Sequence, residues 1–343
     1  MIRNRAWTAS VSRLRTSVGT LPRASRLLTV TDAIAKSLSI VPDMPSWIQI
    51  ETTNRCNFSC EMCPRSLHKL PAEDMPLDTF VELVDRLSLP PGSLITLFGL
   101  GEPLMHGEIL AMVQEVKRRG YEAAFTTNGV LLSDAVIGGI LASSLDYLRI
   151  SVDDDGFGDS GGQLHRAAAV VIERTGALVR MRGALRHPEI LWNVVASSAS
   201  APSIEGIIDR ASEVGIDGVN IINLVPRFSA LTPLPEDRRA EMFRQWHLRG
   251  RRRGIRIQST FGDRFGVRRF FHSRGRECPQ LLAYAYVTLD GDVTPCCHLP
   301  RLVMGNLREQ SLREIWHGGR YRHFRTTYRS SPTCRECRLL TWR

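Results

Sequence analysis

Three cysteines on one short loop constrain this chain more than any other feature. Cys56, Cys60 and Cys63 stand three and then two residues apart in Glu51-Thr-Thr-Asn-Arg-Cys-Asn-Phe-Ser-Cys-Glu-Met-Cys-Pro-Arg-Ser66. The short apolar run Trp47-Ile-Gln-Ile50 precedes them and reads as a strand. Three thiolates fall one short of the ligand set of a structural zinc site. They suffice to hold three irons of a 4Fe-4S cluster and leave the fourth iron open to a substrate or cosubstrate. Unrelated buried cysteines are the bland alternative, since cysteine is a frequent core residue.

Length and composition set the outer bounds. A chain of 343 residues, 43% of them hydrophobic, has room for one large α/β domain and a small second one. Its apolar runs are short, so no transmembrane helix and no membrane partner are expected. Eight cysteines are too few for a disulfide scaffold of this length. Their clustering argues for metal in a reducing, cytoplasmic compartment. The formal charge is +10, yet only three lysines occur, Lys36, Lys69 and Lys117; the other 42 basic residues are arginine. That bias points to a GC-rich genome rather than to a nucleic-acid partner. No zinc finger, basic helix-turn-helix or aromatic-laced basic sheet accompanies it.

Residues 1–46 read as a basic N-terminal extension, with six arginines and no acid before Asp32. The segment lacks the long apolar core of a secretory signal; organelle targeting is the alternative. From Trp47 to about residue 230, short apolar runs alternate with helical patterns. Strands are expected at 47–53, 94–98, 122–126, 146–152, 190–197 and 218–224. Helices are expected at 78–87, 108–119, 133–142, 165–186 with a break near Thr175, 204–214 and 235–253. Asp78 and Ser133 are the expected N-caps, Gly120 and Gly215 the helix stops. Six such units predict an α/β chain with a parallel sheet wrapped by helices. Residues 231–277 read as a helix and an arginine-rich linker. Thirteen arginines meet two acids between 238 and 276, either as a solvated face or as a surface for an anionic group.

Polar clusters recur at the carboxyl ends of the expected strands, where sites collect in such folds. The cysteine loop ends the first, Gly99-Leu-Gly-Glu-Pro103 the second, Thr126-Thr-Asn-Gly129 the third and Ser151-Val-Asp153 the fourth. Each alone fits a turn or a helix cap; turn chemistry does not produce four in succession. Gly99, Gly101 and Pro103 strip side chains from a strand end, so backbone groups there are free to approach a ligand. Asn193, Ser197 and Asn223 are further candidates. Asp154, Asp155 and Asp159 lie on a loop rich in glycine and aspartate over the open end.

Cys-x3-Cys-x2-Cys behind a first strand, followed by Gly-Glu-Pro at the second, resembles the radical S-adenosylmethionine (SAM) superfamily. The resemblance runs from Trp47 to the C-terminus. It implies a partial (β/α)6 TIM-like barrel over 47–230, open on one side. It further implies a 4Fe-4S cluster on Cys56, Cys60 and Cys63 whose open iron chelates SAM. Reduction, by flavodoxin or ferredoxin, then cleaves SAM to methionine and a 5′-deoxyadenosyl radical that abstracts hydrogen from a substrate. The family pattern carries over to Gly99, Gly101 and Glu102 at the SAM amino group, and to Asn128 and Ser151 as SAM or ribose contacts, with Asp153 beside them. Met62 stands where the family usually has an aromatic residue, and still offers adenine an apolar contact.

The other five cysteines all follow residue 277. Tyr284–Leu289 and Val293–Thr294 flank Asp290-Gly-Asp292 and read as a β-hairpin. Ser311-Leu-Arg-Glu-Ile-Trp316 reads as a capped short helix. Hairpin cysteines and the Cys334-x2-Cys337 pair together make enough thiolates to close a metal site, for iron–sulfur or for zinc. Residues 278–343 resemble the SPASM and shorter twitch domains of radical SAM enzymes. That resemblance implies one auxiliary 4Fe-4S cluster on Cys278, Cys296, Cys334 and Cys337. The family's Gly-x4-Cys spacing from Gly291 selects Cys296 and leaves Cys297 over.

The expected activity is therefore a radical SAM oxidoreductase. Its small-molecule substrate would be a sugar, an aminocyclitol or a nucleotide-sugar alcohol, dehydrogenated with the auxiliary cluster as electron acceptor. Epimerisation or decarboxylation of such a substrate, or modification of a ribosomal peptide, are alternatives. A non-catalytic iron–sulfur electron carrier is the alternative outside enzymes. The general base and the oligomeric state leave no sequence signal.

Overall fold

Alternation along the strands decides the architecture. In β1 (Trp47–Ile50) Ile48 and Ile50 are fully buried in the core, while Trp47 and Gln49 point to the opposite face. The same pattern holds in β2 (Leu94–Leu97), β3 (Glu122–Thr127), β4 (Tyr147–Ser151), β5 (Glu189–Ala196) and β6 (Gly218–Asn223). The structure is a computed structural model that describes residues 41–65, 72–153, 163–225, 229, 231–259 and 278–337. The N-terminal extension before residue 41, the loop acids Asp154, Asp155 and Asp159, and the arginines from 260 to 277 lie outside the described residues.

The helices cover the apolar face. They are α1 (Leu77–Asp85), α2 (Ile109–Arg118), α3 (Asp134–Ala142), α4 (Gln163–Arg182), α5 (Ile204–Val214) and α6 (Glu236–Arg252). Each buries one apolar stripe; α2 contributes Ile109, Met112, Val113 and Val116 at helical spacing. Ser133 caps α3 by accepting from the Val136 N–H at 3.3 Å. Gly215 ends α5 at φ +79°, and Gly120 follows α2 at φ +76°. Two local expectations fail. Asp78 is not a cap; it sits in the first turn of α1 behind Pro76. There its charge faces the positive end of the helix dipole. Thr175 does not break α4, because its hydroxyl donates to the Val171 carbonyl at 2.7 Å and accepts from Trp192 Nε1 at 3.3 Å.

More strands form than the sequence pattern announces. β7 (Arg256–Ser259) pairs in parallel with β6, inside the stretch read as an arginine-rich linker. Ile257 is buried, while Arg256 and Gln258 point the other way. Gly250 lets α6 lie close on β7, since a Cβ there would sit 2.2 Å from Ile257 Cγ1. β8 (Tyr284–Val287) and β9 (Asp292–Thr294) make the expected hairpin, with Gly291 at φ +83° in the turn. β8 also pairs in parallel with β1, Tyr284 opposite Trp47 and Val287 opposite Ile50. With β10 (Gly305–Asn306) the order is β10-β9-β8-β1-β2-β3-β4-β5-β6-β7. The result is a partial barrel with a small C-terminal region joined to its sheet.

That region ends in α7 (Leu312–Trp316), α8 (Gly319–Thr327) and α9 (Pro332–Glu336). Ser311 and Glu314 form the expected capping box on α7. Arg325 lies over the Trp316 and Tyr321 rings, 4.1 and 4.4 Å from their centroids, and fixes α8 against α7.

Part of the arginine run is explained by helix packing. Arg249 of α6 and Arg253 just past its end both reach Asp209 of α5, through Nε at 2.9 and 2.8 Å. The Arg249 fork, seconded by Arg253, holds the Asp209 carboxyl at about 2. A carboxylate depressed below its unfolded value of about 3.9 stabilises the fold above that pH and loses the effect as pH falls toward 2. Asp209→Asn is therefore expected to lower the urea midpoint at pH 7, with the gap to wild type closing between about pH 4 and pH 2.

Candidate functional site

The chain leaves β1 at Glu51 and is tied down before it reaches the cysteines. Asn54 exchanges hydrogen bonds with Glu73, its N–H donating at 3.1 Å and its Oδ1 accepting at 2.7 Å. Thr53 Oγ1 donates to Asp74 at 2.5 Å, and Arg55 pairs with the same carboxylate at 2.8 Å. Arg65 Nε returns to the Asn54 carbonyl at 3.0 Å and closes the loop from its far side. Between these anchors Cys56, Cys60 and Cys63 are half-buried.

Burial raises all three thiols, and Cys60 is pushed up to about 11. After burial, the causes at Cys60 are the Asp153 carboxylate and the charges of Cys63 and Cys56. Thiols this close to one another and to an acid stay protonated until a metal centre offsets their charge. This donor set fits a thiolate-bound cluster. Among the described residues no three His, Cys, Asp or Glu side chains converge on a single ion. The ligands of a 4Fe-4S cluster each meet a different iron and need no such convergence.

The end of β2 locks onto this loop. Glu102 N–H donates to the Arg55 carbonyl at 2.8 Å. The Glu102 side chain is 3% exposed and accepts from Thr127 Oγ1 at 2.6 Å, Asn128 N–H at 2.7 Å and Leu104 N–H at 3.1 Å. Burial still pushes its carboxyl up. The carboxylate thus ties the ends of β2 and β3 together, and its Oε2 carries the Asn128 bond alone. Asn128 Nδ2 reaches Asn57 on the cysteine loop at 2.7 Å. Ser151 faces the lumen from the end of β4, and Met62 is half-buried on the loop.

The glycines also make room for neighbouring protein. A Cβ on Gly101 would lie 2.3 Å from the Thr53 carbonyl oxygen and 2.7 Å from that of Arg55. One on Gly99 would meet Glu51 Cγ and Tyr286 Oη, each at 2.7 Å. Both glycines admit neighbouring protein where a side chain would not fit. Gly99 also marks a cluster that the sequence reading missed. Glu51, 3% exposed, accepts from Leu100 N–H at 3.3 Å, and burial raises its carboxyl. Beside it stand Tyr286 and Tyr284 of β8, the latter donating to Gln49 Oε1 at 2.8 Å. The signal was present in Gln49, Glu51, Tyr284 and Tyr286, which alternate with apolar residues on two runs.

Two of the C-terminal cysteines, Cys296 and Cys297, lie within electrostatic reach of Tyr284 and Tyr286. Cys278 N–H donates to Tyr328 Oη at 3.1 Å. Burial pushes the Cys278 thiol up to about 12, and the nearby charges of Cys337 and Cys334 add to it. Cys296 feels the charge of Cys278 as well. Cys297 hydrogen-bonds to Cys296 and to Tyr284. The Cys296–Cys297 hydrogen bond eases loss of the first proton from the pair and opposes loss of the second.

Two family models match this chain. One is the radical SAM superfamily, over residues 50–155. The other is SPASM, an iron-sulfur cluster-binding domain, over residues 278–338. The chain is a radical SAM enzyme with a SPASM domain. Its cofactors are accordingly 4Fe-4S clusters and SAM. This radical SAM enzyme is 27% identical over 327 residues to the tungsten-containing aldehyde ferredoxin oxidoreductase cofactor-modifying protein of Pyrococcus furiosus, with 85% of this chain and 87% of that protein covered. It is 26% identical over 323 residues to the PqqA peptide cyclase of Xanthomonas campestris pv. campestris, covering 89% and 82%. In fold it is similar to Streptococcus suis SuiB bound to precursor peptide SuiA, with a TM-score of 0.68 at 16% identity over 98% of this chain and 81% of that one. It is also similar to BtrN in complex with AdoMet and 2-DOIA, with a TM-score of 0.53 at 18% identity over 87% and 96%. No helix among the described residues is long and apolar enough to cross a membrane.

Gly101 gives the geometry a direct test. Gly101→Ala must displace backbone on the cysteine loop, at a cost of about 1–3 kcal/mol. It is expected to lower both the melting temperature and the iron retained after anaerobic reconstitution. Gly107→Ala, where a Cβ meets nothing within 4 Å, is expected to match wild type in both measurements.

Proposed function

We propose that this radical SAM enzyme modifies a peptide bound at the mouth of the barrel. The reading assigns the SAM-binding 4Fe-4S cluster to Cys56, Cys60 and Cys63. When bound there, the cluster and SAM supply a hydrogen-abstracting 5′-deoxyadenosyl radical. The residues of this chain provide the setting. Asn54, Asp74 and Arg65 hold the cysteine loop in register with β1. Glu102 fixes Gly99–Pro103 against β3, so the backbone of that segment presents a rigid edge to the SAM amino group. Asn128, Ser151 and Met62 complete the SAM pocket. Cys278, Cys296, Cys334 and Cys337 hold an auxiliary cluster; four protein ligands leave no iron open, which suits electron transfer rather than substrate binding.

The observation that carries the peptide reading is the match to PqqA peptide cyclases along most of the chain. The fold of SuiB, solved with its precursor peptide, supports it. Dehydrogenation of a sugar, aminocyclitol or nucleotide-sugar alcohol is the second reading. It is favoured by the likeness to BtrN and by the single group of four C-terminal thiols. Flavodoxin or ferredoxin is the class of reductant this chemistry requires.

Two measurements test these assignments. Reconstituted protein is expected to hold about eight irons, falling to about four in a Cys56/Cys60/Cys63→Ala variant that forms no 5′-deoxyadenosine. About four irons falling to none would remove the auxiliary cluster from the reading. Separately, 5′-deoxyadenosine formation is measured with pooled synthetic peptides and with pooled sugars and aminocyclitols. Stimulation by peptides, with a mass change in one of them, is expected. Stimulation by alcohols alone, with loss of two hydrogens, would transfer the case to dehydrogenation.

A further inference from the structure

The lumen of the partial barrel is polar where a packed barrel core would be apolar. Register across β4 to β7 places two lateral rows of side chains in it. The upper row sets Ser151 opposite Asn193, Asn193 opposite Asn220 and Asn220 opposite Gln258. Asn220 Nδ2 donates to Asn193 Oδ1 at 2.9 Å. The row beneath sets Arg149 opposite Leu191, and Gly218 opposite Arg256. On the other face of the same strands Leu148, Ile150, Trp192 and Val219 are fully buried under the helices, so the pleat commits Arg149 and the amides to the lumen. Arg149, Ser151, Asn220 and Gln258 all keep partial exposure there.

Arg256 already pairs with Glu189. Arg149 lies near that same carboxylate, near the Arg256 guanidinium and near the neutral Tyr147 phenol. Tyr147 spends its own hydrogen on Glu122, donating at 3.0 Å. Arg149 and Arg256 thus share the Glu189 carboxylate, while Glu122 is engaged by Tyr147. Arg149 Nη1 is buried and meets no hydrogen-bond partner among the described residues. A buried donor on a charged group without an acceptor is costly, and native proteins keep such groups where a ligand completes them.

We propose that Arg149, with Asn193, Asn220 and Gln258 above it, is a carboxylate-binding site that anchors the substrate below the radical. A guanidinium offers a planar fork matched to a carboxylate. The amide row supplies further donors one strand layer higher, about 6.6 Å along the strand. The source of the carboxylate, an acidic side chain or a C-terminus, rests on the peptide reading; the site itself does not.

The test is calorimetric titration of reconstituted, SAM-saturated full-length protein, so that the carboxylate of SAM is already accounted for. The probes are N-acetylglutamate α-amide, whose only carboxylate is on the side chain; N-acetylalanine, whose only carboxylate is terminal; N-acetylglutamine α-amide, which is neutral; and inorganic phosphate. One carboxylate probe is expected to bind at least about tenfold tighter than the neutral amide, and which of the two does so identifies the source. Arg149→Gln is expected to abolish that preference, and Arg149→Lys to keep part of it. Equal binding of acid and amide, no binding of either acid, tighter binding of phosphate, or a preference unchanged in Arg149→Gln would each overturn the site. If Arg149→Gln does not fold, the acid-over-amide preference of wild type and its reduction in Arg149→Lys decide the matter. Failure here with peptide-stimulated SAM cleavage intact would remove the site and leave the peptide reading. Carboxylate binding without any peptide turnover would do the reverse.

Discussion

The parallel pairing of β8 with β1 is the contact on which the rest of the arrangement depends. β1 has β2 on one side and β8 on the other. Through β2 it receives Gly99–Pro103, and through β8 it receives Tyr284, Tyr286 and the turn that leads to Cys296. Parallel strands present all their carboxyl ends on one side. A strand contributed from beyond residue 277 therefore brings the second group of thiols to the sheet that carries the first. Further ties run from Arg86 to the Leu307 and Arg308 carbonyls and from Trp316 to the Pro42 carbonyl.

The site is built by cross-strand ties rather than by any single loop. Glu102 receives donors from β3 and from its own turn, while its N–H holds the cysteine loop. Gly101 has no room for a Cβ because the Thr53 and Arg55 carbonyls occupy it. These contacts fix the loop backbone before any cofactor arrives, and cofactor binding then spends less on ordering it. The thiols remain the costly part. Their burial favours the neutral form, so metal must displace protons.

Much of this was legible in sequence. The spacing of Cys56, Cys60 and Cys63 together with their flanks suggested a cluster, and the strand-end residues Glu102, Asn128 and Ser151 do come to one end of the sheet. The choice between Cys296 and Cys297 rests on the family spacing, since the two thiols hydrogen-bond to each other. β7 was hidden because only Ile255 and Ile257 alternate with Arg256 and Gln258, a short period-two signal inside an arginine-rich stretch. Arg149 was hidden for a related reason. A charged residue in a strand reads as solvent-facing, and only the curvature of the sheet turns that face inward.

The sequence by itself determined what depends on near neighbours: the period of strands and helices, the caps at Ser133 and Ser311, the turn at Gly291, and the ligand-type residues at fixed spacing. Those are set by backbone sterics and local hydrogen bonds within a few residues. Tertiary structure alone decided which strand pairs with β1, what the glycines make room for, and which polar face becomes a lumen. Such outcomes join residues as far apart as Gln49 and Tyr284, and no local rule specifies a contact across 235 positions.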